Sequence, residues 1–179
     1  MDTVKGTRDR GKCLLTMMFR NSRLMLIFLL NQCTSNEVIR VFDELTSLLG
    51  EKLFAKTFPV ILTDNGSEFK NVERMEHTQD EISRTSIFYC DPQRSNQKAR
   101  IERNHEYIKM IIPKGRSMYR LQDEDVRLMC NHINSTKRGS LNGHTPYEVA
   151  TILLNKKVMD VLEPQAIPPD NVVLHPSLL

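Results

Sequence analysis

The chain has 179 residues, 25 Lys and Arg against 22 Asp and Glu for a formal net charge of +3, and 40% hydrophobic residues. That length suits one domain with a single sizeable core, and no apolar run approaches the roughly 18 residues needed to cross a bilayer, which excludes a membrane-spanning helix. So small a positive excess neither requires nor excludes nucleic acid, so the distribution of charge has to decide.

The four cysteines, Cys13, Cys33, Cys90 and Cys130, lie far apart without a CxxC pair. This spacing argues against a local zinc knuckle or a disulfide framework and for reduced thiols. Residues 1–20 lack an apolar stretch followed by a small-residue cleavage site, so a cytoplasmic protein without a membrane partner is expected. The chain opens almost directly on a strand-like segment, which is expected of a core excised from a longer protein.

Residues 1–5 read as a short strand, followed by a polar turn. Cys13 to Phe19 and Arg23 to Leu30 are apolar runs joined by a hairpin-like Arg20-Asn21-Ser22, so three successive antiparallel strands are expected. Thr34 or Ser35 caps a helix whose Val38, Ile39, Phe42, Leu45, Leu48 and Leu49 recur at helical spacing up to Gly50. Phe58 to Thr63 is a buried strand, broken by Asp64-Asn65-Gly66-Ser67. Residues 71–83 are polar and hold at most a short helix, and Ser86 to Cys90 is another strand. Helices follow from about Asn96 to Ile112, from Leu121 to Asn134, and from Thr145-Pro146, with Pro at the first helical position. Beyond Asp160 a Pro-bearing tail lies across the surface or dangles. The order β-β-β-α-β-α-β-α-α-α implies an α/β fold: a mixed five-stranded sheet, three antiparallel strands and then alternating helix and strand, with helices on both faces.

Asp64 sits at the C-terminal end of a buried strand, where ligand-binding groups of α/β sheets converge. Asp2 lies in the first strand and Glu102 in the locally basic stretch Gln97 to His105 of the helix expected from about Asn96 to Ile112. Taken singly, Asp64 is a turn former, Asp2 a solvated terminal acid, and Glu102 half of a surface ion pair. Together they offer the hard oxygen ligands that Mg²⁺ prefers, with substrate phosphate completing the shell. Such carboxylates can hold two ions about 3.5–4 Å apart for an in-line displacement at phosphorus. Nearby basic side chains would then bind the nucleic-acid backbone.

The segments Met1-Asp2-Thr3-Val4-Lys5-Gly6, Leu62-Thr63-Asp64-Asn65-Gly66-Ser67-Glu68-Phe69 and Ile101-Glu102-Arg103-Asn104-His105 through Pro113-Lys114-Gly115 resemble the DDE transposases of the "IS thirty" insertion-sequence family. Asn134-Ser135-Thr136-Lys137-Arg138, Leu141-Asn142-Gly143 and Thr145-Pro146-Tyr147-Glu148 match its downstream signature. The resemblance implies a ribonuclease-H-like fold shared with retroviral integrases. It makes residues 1–150 the catalytic core and leaves 151–179 as a helix end and tail. It also implies Asp2, Asp64 and Glu102 as catalytic metal ligands, Mg²⁺ with Mn²⁺ as substitute and two ions in the substrate complex, and cleavage and strand transfer of DNA. DNA, as element ends and target, would be the partner. A homodimer or higher assembly is expected, in a bacterial cytoplasm and nucleoid-associated when bound.

Lys98, Arg100, Arg103, Lys109, Lys114 and Arg138 are the expected DNA contacts, with Lys109 on the Glu102 face of its helix. Glu106, also on that face, remains open as an alternative third ligand, and His105 reads as a DNA or packing residue rather than a base. The chain departs from the family where Lys98-Ala99-Arg100 replaces an Arg-Gly or Lys-Gly pair and a preceding aromatic is missing. The upstream helix-turn-helix region is also absent from these residues. A ribonuclease-H-like nuclease without strand transfer, or an inactive DNA-binding transposase fragment, are the competing readings. A strand-transfer assay separates them.

Overall fold

The computed structural model describes residues 1–6, 11–90 and 99–179, with residues 99 and 100 described by their backbone alone. The strands β1 (Asp2–Lys5), β2 (Cys13–Met18) and β3 (Met25–Leu30) form an antiparallel meander. Its register pairs Asp2 with Thr16 and Lys5 with Cys13, then Cys13 with Leu30 and Met18 with Met25. Side chains alternate across a strand, and here both faces are covered, so β2 and β3 are apolar except for Thr16. Cys13, Leu15, Met17, Leu26 and Leu30 face one core; Leu14, Met25, Ile27 and Leu29 face the other.

The first core is closed by α1 (Ser35–Leu49), which buries Val38, Phe42, Leu45 and Leu49. Its Thr34 hydroxyl caps the Glu37 amide, and Gly50, at φ +79°, ends it. The helix α2 (Glu51–Thr57) follows without a spacer and adds Phe54 to the same core. Beyond it, β4 (Val60–Thr63) pairs in parallel with β5 (Ser86–Tyr89), with α3 (Val72–Glu76) between them. The second core is closed by α4 (Ala99–Ile111) and α5 (Asp123–Asn134) through Ile108, Ile111, Val126, Met129 and Ile133. The helices α6 (Pro146–Leu153) and α7 (Lys156–Leu162) complete the chain's regular structure, α7 again on the α1 side through Val158. The expected elements are present, and α2 and α7 are additions.

The sheet differs from expectation. It is not one five-stranded sheet but a three-stranded sheet, β1-β2-β3, and a two-stranded sheet, β4-β5. The cause lies at the outer edge of β1. The Thr3 amide donates to its neighbour's carboxylate, Asp2 Oδ1, at 2.9 Å, rather than to a β4 carbonyl. The Met1 ammonium reaches across, donating to the Leu62 carbonyl. The face of β4–β5 opposite the α1 core is left open, with Val60 56%, Leu62 47% and Phe88 54% exposed.

Arg84, just before β5, is wholly buried at the centre of this second sheet's packing. Its guanidinium donates to Asp43 Oδ1 at 2.7 Å, Thr46 Oγ1 at 3.1 Å and the Met75 and Arg74 carbonyls at 3.0 and 2.8 Å. It also lies 5.5 Å and 5.8 Å from the ring centroids of Phe42 and Phe54. One side chain thus ties α1, α2 and α3 to the start of β5. All four cysteines are free thiols. Burial raises the Cys13 and Cys33 thiols and pushes Cys130 up to about 12, which suppresses thiolate reactivity.

The tail lies across the surface and is anchored there. The Gln165, Ile167 and Val173 amides donate to Asn131 Oδ1, Ser135 Oγ and His132 Nδ1, and Arg116 bonds the Pro176 and Leu179 carbonyls.

Two stability measurements test this packing. Arg84→Ala should lower the urea-unfolding free energy by about 3–5 kcal/mol, because Asp43 and two carbonyls lose a buried donor. Arg84→Lys, with one compact donor group, should recover less than half. Burial depresses the His132 pKa below its ordinary 6.5, so the native state favours the neutral ring. The unfolded chain then binds the extra proton first as pH falls. Stability from this site is complete above pH 6.5 and declines as pH drops below it, and the urea midpoint of His132→Gln should lack that component.

Candidate active site

The carboxylate Asp64 leaves the C-terminal end of β4 because Asp64-Asn65-Gly66 stops the strand. Its Oδ1 accepts the Gly66 amide at 3.1 Å, a turn-forming bond characteristic of Asp. A 3-10 turn, Ser67–Phe69, then buries Phe69 in the α1 core and fixes the loop from below. Glycine is needed at 66 for space: a Cβ there would stand 2.9 Å from Glu68 Oε2 and 3.1 Å from Asp64 Oδ1.

Asp2 approaches from β1. It follows Met1, whose ammonium is bonded to Leu62, and Asp64 lies two residues beyond Leu62, so both acids leave the backbone at the junction of the two sheets. Asp2 is paired in register with Thr16, whose hydroxyl donates to the Asp2 carbonyl at 3.0 Å and lies 2.9 Å from His105 Nε2. His105 Nδ1 stands 4.0 Å from Asp2 Oδ2. Asp2 therefore faces α4. His105 is buried between strand and helix, a packing and orienting position.

Glu102 sits one turn before His105 on α4. The helix buries Ile101, Asn104, His105 and Ile108, while Glu102, Arg103, Glu106 and Lys109 are exposed. Residues three apart on a helix are neighbours on its surface, so Glu102 adjoins the edge of α4 that touches Asp2. Among the described residues, no group of three or more His, Cys, Asp and Glu side chains is gathered tightly enough to hold a metal. Asp2 and Asp64 thus flank the bond between Met1 and Leu62, and Glu102 is carried on a separate element. The donor set is all carboxylate oxygen, oriented by backbone amides at Asp2 and Asp64, and it suits a hard divalent cation.

The basic residues divide. Arg103 and Lys114 are exposed, and Lys109 is paired with Glu106 at 2.6 Å in the open. Lys98 and the side chain of Arg100 lie outside the described residues. Arg138 corrects the expectation of a DNA contact, because it is 7% exposed and internal. Its guanidinium lies 3.5 Å from the Tyr107 ring centroid and donates to the Ile133 carbonyl at 2.9 Å. Nε and Nη1 have no hydrogen-bond partner among the described residues, and burial lowers its pKa to about 10. Arg138 joins α4 to the end of α5.

Sequence patterning assigns no role to Glu68, a 3%-exposed carboxylate between the sheets. Its place in the Asp64–Phe69 segment is visible in the sequence; its burial is not.

No protein-family model matches the chain. The chain is 27% identical over 142 residues to a protein named as integrase ORF3 of Spiroplasma virus SpV1-R8A2 B, covering 79% of this chain and 42% of that protein. It is 23% identical over 155 residues to the transposase for insertion sequence element IS1086 of Cupriavidus metallidurans, covering 86% and 43%. The chain thus spans about two fifths of the length of the curated relatives it matches. The crystal structure of the catalytic core domain of BIV integrase superposes with a TM-score of 0.58 at 18% identity, covering 84% of this chain and 92% of that one, a likeness of fold. The chain is thus similar in sequence to an integrase and a transposase and shares the fold of an integrase catalytic core.

Proposed function

We propose that this core cuts and joins DNA strands by phosphoryl transfer during transposition, with Asp2, Asp64 and Glu102 as its metal-binding carboxylates, in the manner of the "IS thirty" DDE transposases. The observation that carries the reading is the bond from Met1, next to Asp2, to Leu62, two residues before Asp64, with His105 of the Glu102 helix beside Asp2. The integrase-like fold and the integrase and transposase relatives support it.

Bound at these carboxylates, Mg²⁺ or Mn²⁺ ions would supply positive charge to polarise the phosphoryl group and acidify the attacking hydroxyl. The chain's own residues do the positioning. The Thr3 and Gly66 amides each donate to one oxygen of Asp2 and Asp64, which helps to orient both carboxylates before substrate arrives. His105 braces Asp2 from α4 and is not needed as a base. Arg103, Lys109 and Lys114, with Lys98 and Arg100 before them, would take DNA phosphates. The Lys109–Glu106 pair does not prevent this, since an exposed ion pair is worth only about 0–1 kcal/mol and yields readily to phosphate. Element ends and target DNA are the substrates of this reading, in a homodimer or larger assembly.

Two measurements test it. Asp64→Asn keeps the side chain's size and removes its charge, so Mg²⁺-supported cleavage and strand transfer on labelled DNA should fall by orders of magnitude. DNA binding should persist or tighten. Near-parental rates would remove Asp64 from the site, and hydrolysis by the parent without joining would identify a nuclease instead. In titrations, DNA affinity should be weak and fall steeply with salt, as phosphate-dominated binding does. Element-end DNA should compete hardly better than random sequence, and nanomolar, sequence-selective binding by these residues would contradict the proposal.

A further inference from the structure

We infer that Glu68 is a positioning residue that clamps the Asp2 strand to the Asp64 turn, an inference that rests on the carboxylate site proposed above. Its side chain is 4% exposed, an expensive place for a carboxylate unless its oxygens are supplied with donors. They are supplied from three segments. Oε1 accepts from the Thr3 hydroxyl at 2.5 Å and the Cys33 thiol at 3.3 Å and lies 3.5 Å from Lys5 Nζ; Oε2 accepts from the Ser67 hydroxyl at 3.3 Å. Thr3 and Lys5 belong to β1, Cys33 to the connection from β3 to α1, and Ser67 to the turn after Asp64.

This set of contacts replaces the missing backbone ladder. Between β1 and β4 the described backbone bond is the one from Met1 to Leu62, and it leaves β1 free to slide or rotate relative to β4. Glu68 grips β1 at Thr3, the residue next to Asp2, and at Lys5, the next residue on the same face. On its other side, Glu68 Oε2 accepts from Ser67, and the amide of the preceding residue, Gly66, donates to Asp64 Oδ1. A shift of Glu68 would therefore be passed to Asp2 through Thr3 and to Asp64 through the Gly66-Ser67 turn. Burial alone would raise the Glu68 pKa, but the Thr3 and Cys33 hydrogen bonds and the Lys5 charge hold it below the usual glutamate value, so the clamp is ionised at neutral pH.

The test compares the parent chain, Asp64→Asn, Glu68→Gln, Thr3→Val, Thr3→Ser and the double variant that joins Glu68→Gln to Thr3→Val. Manganese binding without DNA is read by electron paramagnetic resonance, single-turnover strand transfer by gel, and DNA affinity at fixed salt. Loss of an outer partner of a metal ligand costs about 10–100-fold in metal affinity or rate. Glu68→Gln and Thr3→Val should each weaken Mn²⁺ binding and slow strand transfer within that range, with DNA affinity unchanged. Thr3→Ser restores the hydroxyl and should rescue both. The double variant should lose little more than either single one, because both break the same contact. If Glu68→Gln does not fold, the Thr3→Val and Thr3→Ser pair carries the comparison alone. Variants that lower the urea midpoint while binding Mn²⁺ and reacting like the parent would overturn the clamp and leave Glu68 a stabilising residue only. A parent that neither binds Mn²⁺ nor joins strands overturns the carboxylate site itself, and the clamp with it. With a reactive parent and an inactive Asp64→Asn, the carboxylate site stands and any failure belongs to the Glu68 clamp alone.

Discussion

Between β1 and β4 the backbone ladder is reduced to the bond from the Met1 ammonium to the Leu62 carbonyl, so the two sheets are held together by side chains and by the helix they share. α1 packs beneath both, with β3 on one side and α3 on the other, and its buried face continues from the meander to Ile61 and Ile87. Each sheet contributes one aspartate. The separation of those acids is therefore governed by side-chain contacts, which are shorter in reach and more sensitive to substitution than a strand ladder. Thr3, Glu68 and Arg84 occupy the positions where that sensitivity is concentrated.

Much of this was written locally in the sequence. Thr34 and Gly50 mark α1 because a hydroxyl cap and a left-handed glycine are nearest-neighbour effects. Asp64-Asn65-Gly66 announces the end of β4 for the same reason. The apolar runs of β2 and β3 follow from burial on both faces. The division of the sheet was not legible, because it turns on whether the Thr3 amide meets a β4 carbonyl or its neighbour's carboxylate. Nor were α2 and α7, helices of seven residues each that pack on α1 and are too short to show a periodic pattern, although Asn155 caps α7.

Charge was the least legible property. Lys137-Arg138 reads as a basic surface pair, yet Lys137 is exposed while Arg138 is stacked on Tyr107 inside the fold. Arg84 reads as one more cation in a polar segment and is wholly buried. A formal charge of +3 thus counts two internal guanidiniums, while Arg103, Lys109 and Lys114 carry their charge at the surface. For Glu68 the ambiguity has the opposite sign: an acid in a polar turn proves to be internal because Phe69 behind it is drawn into the core.

The junction also has a history within each folding event. Asp2 meets its strand partner Thr16 after 14 residues, but Met1 waits for Leu62 at a separation of 61, Thr3 for Glu68 at 65, and Thr16 for His105 at 89. Contacts of long separation cost more chain entropy to close and slow the folding of proteins that depend on them. The β2–β3 hairpin and α1 can form from neighbours alone, whereas the acids come together only when most of the chain has been made and collapsed. Bracing the Asp2 strand from α4 is thus the contact of longest closure among these four, and it depends on the collapse of the whole intervening chain.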